Sequence, residues 1–209
     1  MGAKNPMTAT VHKLPSRRVN QTVKLIRIPN EVMRPSGESL SDEQVRQLIK
    51  AARGNRYGQR DALMIELAWH HGLRASELCG LTWDDVRSGR NPTIYIRRAK
   101  GGHSGYNPLT GEHLRALNAL RPKELGPTIF SSERADPFTP AGFAKMVERA
   151  GIAAGFKFKV HPHQLRHACA AHLAPKISQL ELAAHLGMKD PRTLGHYYQG
   201  DPERRRHKW

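Results

Sequence analysis

The chain has 209 residues, with 34 Lys and Arg against 18 Asp and Glu, so its formal net charge is +16. This excess indicates a polyanionic partner, most simply nucleic acid, because each neutralised phosphate releases bound counterions. No apolar run approaches the roughly 20 residues that a membrane-spanning helix needs, and no signal-peptide pattern opens the chain. Two cysteines, Cys79 and Cys169, predict no disulfide framework, so we expect a cytoplasmic protein.

Both ends of the chain differ in composition from its middle. Residues 1–38 carry seven Lys and Arg against two Glu, together with four prolines that interrupt any long helix. We expect a basic arm that tracks DNA, although a solvated tail fits the same composition equally well. Residues 201–209 form a second basic tail, for which contact with DNA, contact with a neighbouring subunit and simple solvation all stay open.

Residues 39–200 are predicted to form one folded domain. Ser41 and Gln44 make a capping-box pattern that begins the first helix. The β-branched and aromatic run 93–96 predicts a strand, which turns at 101–102 and returns over 106–109. The expected fold is therefore mainly α with a small antiparallel β-sheet. Further helices are predicted at about 59–71, from 74, and at about 110–121, 139–150, 162–174, 178–186 and 191–199.

The first candidate segment is His-Gly-Leu-Arg-Ala-Ser-Glu-Leu at 71–78. Arg74 stands where a helix begins after a glycine turn, and Glu77 follows three residues later on the same face. Taken alone, this segment does not decide between a functional arginine and a structural one. An ordinary helical ion pair, worth about 0.2–0.5 kcal/mol, explains the segment equally well when it is taken alone.

The second segment is His-Pro-His-Gln-Leu-Arg-His at 161–167. A helix that starts at Pro162 places His163 and Arg166 one turn apart, so an imidazole and a guanidinium can reach the same phosphate. Two alternatives stay open. The histidines, with His172, could bind a metal ion, although no carboxylate or cysteine follows at ligand spacing, or they could simply belong to a basic surface.

The third segment is Leu-Gly-Met-Lys-Asp-Pro-Arg-Thr-Leu-Gly-His-Tyr-Tyr at 186–198. It predicts a helix, a turn and a second helix that carries two adjacent tyrosines. Either tyrosine could be a nucleophile, but tyrosines on a helix are more often core aromatics.

Together and in this order, the three segments resemble the tyrosine recombinase, or phage integrase, family. The run His-Pro-His-Gln-Leu-Arg-His-Ala-Cys at 161–169 is especially similar to the fimbrial phase-switch invertases. The resemblance covers roughly 39–199 and implies the tyrosine recombinase catalytic-domain fold. It also implies a site-specific enzyme that cleaves and rejoins DNA in integration, inversion or resolution, often on behalf of a mobile element.

The resemblance assigns roles residue by residue. It makes Arg74 and Arg166 the two arginines that clamp the phosphate, supported by Glu77. Tyr197, nine residues after Met188, matches the nucleophile, and Tyr198 stands one residue too late. The remaining assignments are proton transfer with the nucleophile for His163 and protonation of the departing 5′ oxygen for the β-hairpin lysine, Lys100.

The chain departs from the family pattern at Met188, where the family has His or Trp. Those side chains donate a hydrogen bond to the scissile phosphate, and a thioether cannot. The site therefore either works with one donor fewer, or uses His185 or His196 instead, or is weakened. Residues 1–38 are also too short for the N-terminal core-binding domain that family members often carry.

The implied mechanism joins Tyr197 to a DNA 3′ phosphate. Because the ester bond conserves the energy of the broken linkage, the resemblance implies neither ATP nor a required metal ion. It implies a double-stranded DNA site, a homotetramer on two duplexes and, in some systems, accessory DNA-bending proteins. The alternative is a DNA-binding regulator on the same fold that cuts weakly or not at all, which Met188 and the short N-terminal arm favour. Catalysis is favoured by the presence of all five residues that cleavage would use: Arg74, Lys100, His163, Arg166 and Tyr197.

Overall fold

A computed structural model describes residues 40–99, 101–121, 126–134 and 136–198. The basic arm 1–38, Lys100 and the tail 201–209 lie outside the described residues. None of the helices that are described is both long enough and apolar enough to cross a bilayer.

Three helices open the domain: α1 spans Asp42–Arg53, α2 spans Gly58–His70 and the short α3 spans Ala75–Cys79. The predicted capping box at α1 is confirmed. The Gln44 amide donates to the Ser41 hydroxyl at 3.2 Å, and the Ser41 amide donates back to the Gln44 side chain at 2.9 Å. Helix α2 is buried along most of its length, so it forms the centre against which α1, α4 and α6 pack.

A three-stranded antiparallel sheet follows, formed by β1 (Val86–Arg87), β2 (Thr93–Ile96) and β3 (Gly105–Pro108) in that order. The β2–β3 hairpin is confirmed, with Ile94 opposite Asn107. Strand β1 was missed, because two residues that follow the 3₁₀ turn at Trp83–Asp85 leave no alternation to detect. Ile94 and Ile96 point into the core, which fixes the inward face of β2.

Four helices complete the domain: α4 (Gly111–Leu120), α5 (Pro140–Ala153), α6 (Pro162–Leu173) and α7 (Gln179–Leu186). The predicted helix at 191–199 is instead a 3₁₀ helix over Pro191–Tyr197. Helix α6 packs against α1, α2, α5 and α7, so its N-terminal half meets the turn between α2 and α3 and the end of α7. The three candidate segments converge there. Among the largest fully buried side chains of the core are Phe130, Phe143, Leu48, Met64 and Ile65.

Candidate active site

Glu77 is the anionic centre of the site and is buried. One carboxylate oxygen accepts from the Arg74 guanidinium at 2.6 Å and from the Ala99 amide at 3.0 Å. The other accepts from the Arg74 amide and from the Arg98 guanidinium, both at 3.0 Å. Burial alone raises the pKa of Glu77, but these hydrogen bonds and the charge of Arg98 outweigh it and hold that pKa below its ordinary value. Glu77 is therefore ionised at neutral pH.

Arg98 was not singled out from the sequence, yet its side chain is only 1% exposed at the centre of the site. Besides Glu77, its guanidinium donates to the carbonyl oxygens of His71, at 3.0 Å, and His185. Gly187, which ends α7 with φ of +64°, lies against the Arg98 side chain, and a Cβ there would approach Arg98 Cγ to 2.4 Å. The inward alternation of Ile94 and Ile96 continues to position 98, and that periodicity could have revealed Arg98.

Arg166 joins the same group from α6. Its guanidinium donates to the carbonyls of Gly72 at 2.5 Å and Leu186 at 3.0 Å, so it links the α2–α3 turn to the end of α7. Burial, followed by the like charges of Arg74 and Arg98, lowers the pKa of Arg166 to about 10, although the charge of Glu77 acts in the opposite direction. The guanidinium remains charged at neutral pH.

The guanidinium cluster, defined here as Arg74, Arg98 and Arg166 around Glu77, carries three positive charges against one negative charge. Arg98 is enclosed, whereas the Arg74 side chain is 29% exposed and can reach a molecule outside. Buried charges are stable only when opposite charges or hydrogen bonds compensate them. The surplus of two positive charges makes the cluster a strong binding site for an anion such as a phosphodiester.

Tyr197 lies half-buried on the last described 3₁₀ helix, and its phenol oxygen contacts Nδ1 of His167. Burial raises the pKa of Tyr197 to about 12, although the charge of Arg166 acts in the opposite direction. Without DNA the phenol is therefore protonated. The structure thus brings Tyr197 together with α6.

Tyr198 is placed differently. Its hydroxyl donates to the backbone carbonyl of Ile177 at 3.2 Å, and its ring packs against the core. This is the environment of a tyrosine that holds two segments together. The adjacent tyrosines therefore separate into one that faces α6 histidines and one that anchors the 3₁₀ helix.

The histidines at the start of α6 form a short series. His163 is exposed, and its ring meets the His167 ring edge-on, with centroids 4.5 Å apart. The rings of His161 and His163 are 6.5 Å apart. Within the described part of the chain, no three His, Cys, Asp or Glu side chains are arranged so that they could share a metal ion.

Met188 is half-buried against the core just after Gly187. Of the two histidines considered as substitutes for its missing donor, His185 uses Nε2 on the carbonyl of His70 at 2.9 Å. The His196 ring lies on the Tyr197 ring, with centroids 3.9 Å apart, so His196 is the one beside the candidate nucleophile.

Two residues close to Lys100 in the sequence, Ala99 and Gly102, contact the site. The Ala99 amide donates to Glu77, and the Gly102 amide donates to the Ala99 carbonyl at 3.2 Å. A Cβ on Gly102 would come within 2.3 Å of the Gly187 carbonyl oxygen, so the turn lies directly on the end of α7. Lys100 itself is outside the described residues.

Known proteins match both the sequence and the fold. The phage integrase family model matches residues 38–204. The type 1 fimbriae regulatory protein FimE of Escherichia coli K12 is 32% identical over 168 residues, which cover 76% of this chain and 83% of FimE. Tyrosine recombinase XerD of Caulobacter vibrioides is 37% identical over 153 residues, which cover 67% of this chain and 50% of XerD.

Among solved structures, XerA recombinase superposes with a TM-score of 0.68 at 25% identity, over 80% of this chain and 62% of XerA. The lambda integrase catalytic core superposes with a TM-score of 0.60 at 24% identity, over 73% of this chain and 93% of that core. A lambda integrase tetramer bound to a Holliday junction contains the same fold, with a TM-score of 0.63 at 24% identity over 77% of this chain and 47% of that one. The predicted fold class is confirmed, and the chain belongs to the phage integrase family of tyrosine recombinases.

Proposed function

We propose that the chain is a site-specific DNA recombinase that cleaves and rejoins DNA through a 3′-phosphotyrosine at Tyr197. The observation that carries this proposal is the guanidinium cluster, with two surplus positive charges, together with the contact between His167 and the Tyr197 phenol. Arg166 of the cluster and His167 are adjacent residues on α6. A phosphodiester supplies the missing negative charge, and the charge that builds at phosphorus during attack strengthens the interaction.

Within this proposal, Arg74 and Arg166 bind the non-bridging oxygens of the scissile phosphate. Glu77 fixes the Arg74 fork, and Arg98 fixes Glu77, so both act as positioning residues. His163, exposed one turn before Arg166, donates to the same phosphate. Lys100, carried over from the family pattern, protonates the departing 5′ oxygen.

We further propose the partners that the relatives' names and titles describe. The substrate is a double-stranded DNA site, and two duplexes are joined in a tetramer, as in the lambda integrase structure on a Holliday junction. Residues 39–200 form the catalytic domain, and the arms at 1–38 and 201–209 extend it. The protein acts in the cytoplasm, where DNA is present. Exchange of one phosphate ester for another conserves bond energy, so the reaction needs no ATP.

Met188 supports a second candidate function, a DNA-binding regulator on the same fold that cuts weakly or not at all. A thioether donates no hydrogen bond, and losing one such donor lowers rates by roughly 10²–10³ in comparable sites. The guanidinium cluster favours catalysis over this alternative, because DNA binding alone does not require three guanidiniums converging beside a tyrosine.

Trapping the covalent intermediate tests the proposal. The target duplex is obtained by selecting bound sequences from a random pool and is nicked just beyond the cleavage position. After cleavage, the short strand that carries the 5′ hydroxyl diffuses away, so rejoining is prevented and the protein–DNA ester accumulates. We expect a denaturation-resistant adduct from the wild type and from Tyr198→Phe, and none from Tyr197→Phe. Adduct from Tyr197→Phe but not Tyr198→Phe would place the nucleophile one residue later. Sequence-specific binding without any adduct would establish the regulator instead.

A further inference from the structure

His167 occupies a position that the family-based assignment leaves without a role. It lies one helical turn after His163 and directly after Arg166 on α6. Its Nδ1 atom contacts the Tyr197 phenol oxygen, which is the atom proposed to attack phosphorus. Of the histidines in the described residues, His167 is the one whose ring nitrogen touches that oxygen.

The surrounding rings hold this contact in place. His163 packs edge-on against the His167 ring at 4.5 Å between centroids, and the His196 ring lies against the Tyr197 ring at 3.9 Å between centroids. His167 and Tyr197 are both half-buried, so the pair is partly shielded from water. An imidazole and a phenol fixed at this range are placed for direct proton transfer.

We propose that His167 is a catalytic residue that accepts the Tyr197 phenol proton on Nδ1 as the phenol oxygen attacks the scissile phosphate. It thereby takes the proton transfer that the family pattern assigns to His163, which keeps only its hydrogen bond to that phosphate. This inference rests on the proposed recombinase function. The phenol O–H bond breaks, a new bond forms between the Tyr197 oxygen and phosphorus, and the bond from phosphorus to the 5′ oxygen breaks. That oxygen leaves with the bonding electrons and takes its proton from the general acid, assigned to Lys100.

The chemistry of the two groups fits this direction of transfer. Neutral His167 must carry its hydrogen on Nε2, which leaves the Nδ1 lone pair free for the phenol proton. Burial, then the charges of His163, His196, Arg166 and His161, lower the pKa of His167, so the ring is neutral before DNA arrives. Tyr197, protonated until then, needs such an acceptor.

Binding of DNA is expected to increase the basicity of His167. A phosphodiester anion at Arg74 and Arg166 offsets the positive charge that disfavours an imidazolium at position 167. His167 therefore becomes a better base only when a phosphate is present. In the rejoining step, the 5′ hydroxyl gives its proton to the neutral general acid, assigned to Lys100, as its oxygen attacks phosphorus. The imidazolium of His167 returns its proton to the departing Tyr197 oxygen, which regenerates all three groups.

The experiment measures single-turnover adduct formation by full-length protein on the nicked duplex. Two substitutions are compared: His167→Ala removes the ring, and His167→Asn keeps a hydrogen-bonding atom near the position of Nδ1 without a basic nitrogen. His161→Ala, at the exposed start of the same helix, is the matched control. A second duplex carries sulfur in place of the bridging 5′ oxygen, because a thiolate leaves without needing a proton.

We expect both His167 variants to form adduct about 10²–10⁴-fold more slowly than the wild type, with DNA affinity unchanged, since general-base catalysis contributes rates of that order. The sulfur substrate should not restore the His167 variants, because the defect lies in the nucleophile, but it should restore Lys100→Ala. A fluorinated tyrosine of lower pKa at position 197 should partly restore His167→Ala. His161→Ala should behave as the wild type.

Other outcomes overturn the inference separately from the proposed function. If the wild type forms adduct and His167→Ala forms it equally fast or faster, the contact between His167 and Tyr197 is not used in the attack. Full activity of His167→Asn would reduce His167 to a positioning residue, and restoration by the sulfur substrate would move its role to the leaving group. Absence of adduct from the wild type would overturn the recombinase function itself, and the role of His167 with it.

Discussion

Arg60 and the guanidinium cluster differ in how their positive charge is compensated. Arg60, at the start of α2, lies between the rings of Tyr57 and Phe138, at 4.6 and 4.8 Å from their centroids. It pairs with Asp61 at 2.8 Å and donates to the Ser131 carbonyl at 2.8 Å. Its single charge is matched by a single carboxylate, and two aromatic rings cover its guanidinium.

In the guanidinium cluster, by contrast, the positive charge of the arginines exceeds the negative charge beside them. Arg74 and Arg98 both pair with the one carboxylate of Glu77, and Arg74 remains partly exposed. Arg166 donates only to the backbone carbonyls of Gly72 and Leu186. A balanced, fully covered arginine such as Arg60 contributes to stability and has no charge left for a ligand. An unbalanced cluster is tolerated because its backbone carbonyl partners hold it in place, and it stays available to an anion.

The largest difference between the two groups is expected in cleavage. Arg74→Ala and Arg166→Lys each remove a fork that would hold the scissile phosphate, so we expect adduct formation to fall by roughly 10²–10³-fold or more. Lysine is chosen at 166 because the buried side chain also binds two backbone carbonyls, which alanine would leave unpaired. Single-turnover assays on the nicked duplex measure the effect.

Arg60→Ala is the matched control for those two variants. It should leave the rate per folded molecule unchanged. Near wild-type cleavage by Arg74→Ala, or a cleavage defect in folded Arg60→Ala, would remove the functional distinction between the two groups of arginines.

The second difference is expected in stability. Arg60→Ala leaves Asp61 buried without its partner, and we expect the free energy of unfolding to fall by about 3–5 kcal/mol. Arg98→Met should destabilise to a similar extent, because the carbonyls of His71 and His185 lose a donor. Urea denaturation measures both changes.

Arg98→Met sharpens the comparison because Arg98 belongs to the unbalanced cluster yet is enclosed like Arg60. It should also slow cleavage, since Glu77 loses one of the partners that fix it against Arg74. If Arg98→Met loses stability but cleaves at the full rate, Arg98 has a purely structural role, as Arg60 does.

A smaller gain is expected from supplying the donor that the site lacks. Met188→His offers a hydrogen bond to the phosphate that the thioether cannot make, so we expect adduct formation to accelerate by up to about 10²-fold. DNA affinity should barely change, because the bond strengthens only as charge develops. Met188→Leu is the control and should match the wild type. A slower Met188→His variant would show that position 188 does not face the phosphate.

The smallest effect concerns acid stability of the guanidinium cluster. The folded-state pKa of Glu77 lies below its unfolded value, so ionised Glu77 stabilises the fold fully above the unfolded pKa. This contribution is lost as the pH falls through the folded pKa, at no more than about 1.4 kcal/mol per pH unit for one proton.

Glu77→Gln should therefore be less stable than the wild type at pH 7, and the difference should shrink as the solution is acidified below pH 4.5. Urea denaturation across that range checks the trend. A difference that is constant with pH would mean that the charge of the Glu77 carboxylate does not stabilise the arrangement of Arg74 and Arg98 around it.

Much of the fold was predictable from the sequence because its signals are local. Ser41 and Gln44 show where α1 begins, and the run at 93–96 identifies β2, since capping and β-branching act within a few residues. Strand β1 escaped detection because its two residues are held by pairing with β2 rather than by any preference of their own. The 3₁₀ form of Pro191–Tyr197 likewise depends on packing against α7.

The candidate site divides in the same way. The order of the three segments already determined the family and nominated Arg74, Arg166 and Tyr197, because each stands in a short pattern that needs no tertiary contact to be read. Only the tertiary structure decided that Arg98 and Glu77 form the buried centre of the cluster and that His167, one turn beyond His163, contacts the phenol. Those pairings join residues 21 and 30 positions apart, and long-range packing, not local propensity, brings such residues together.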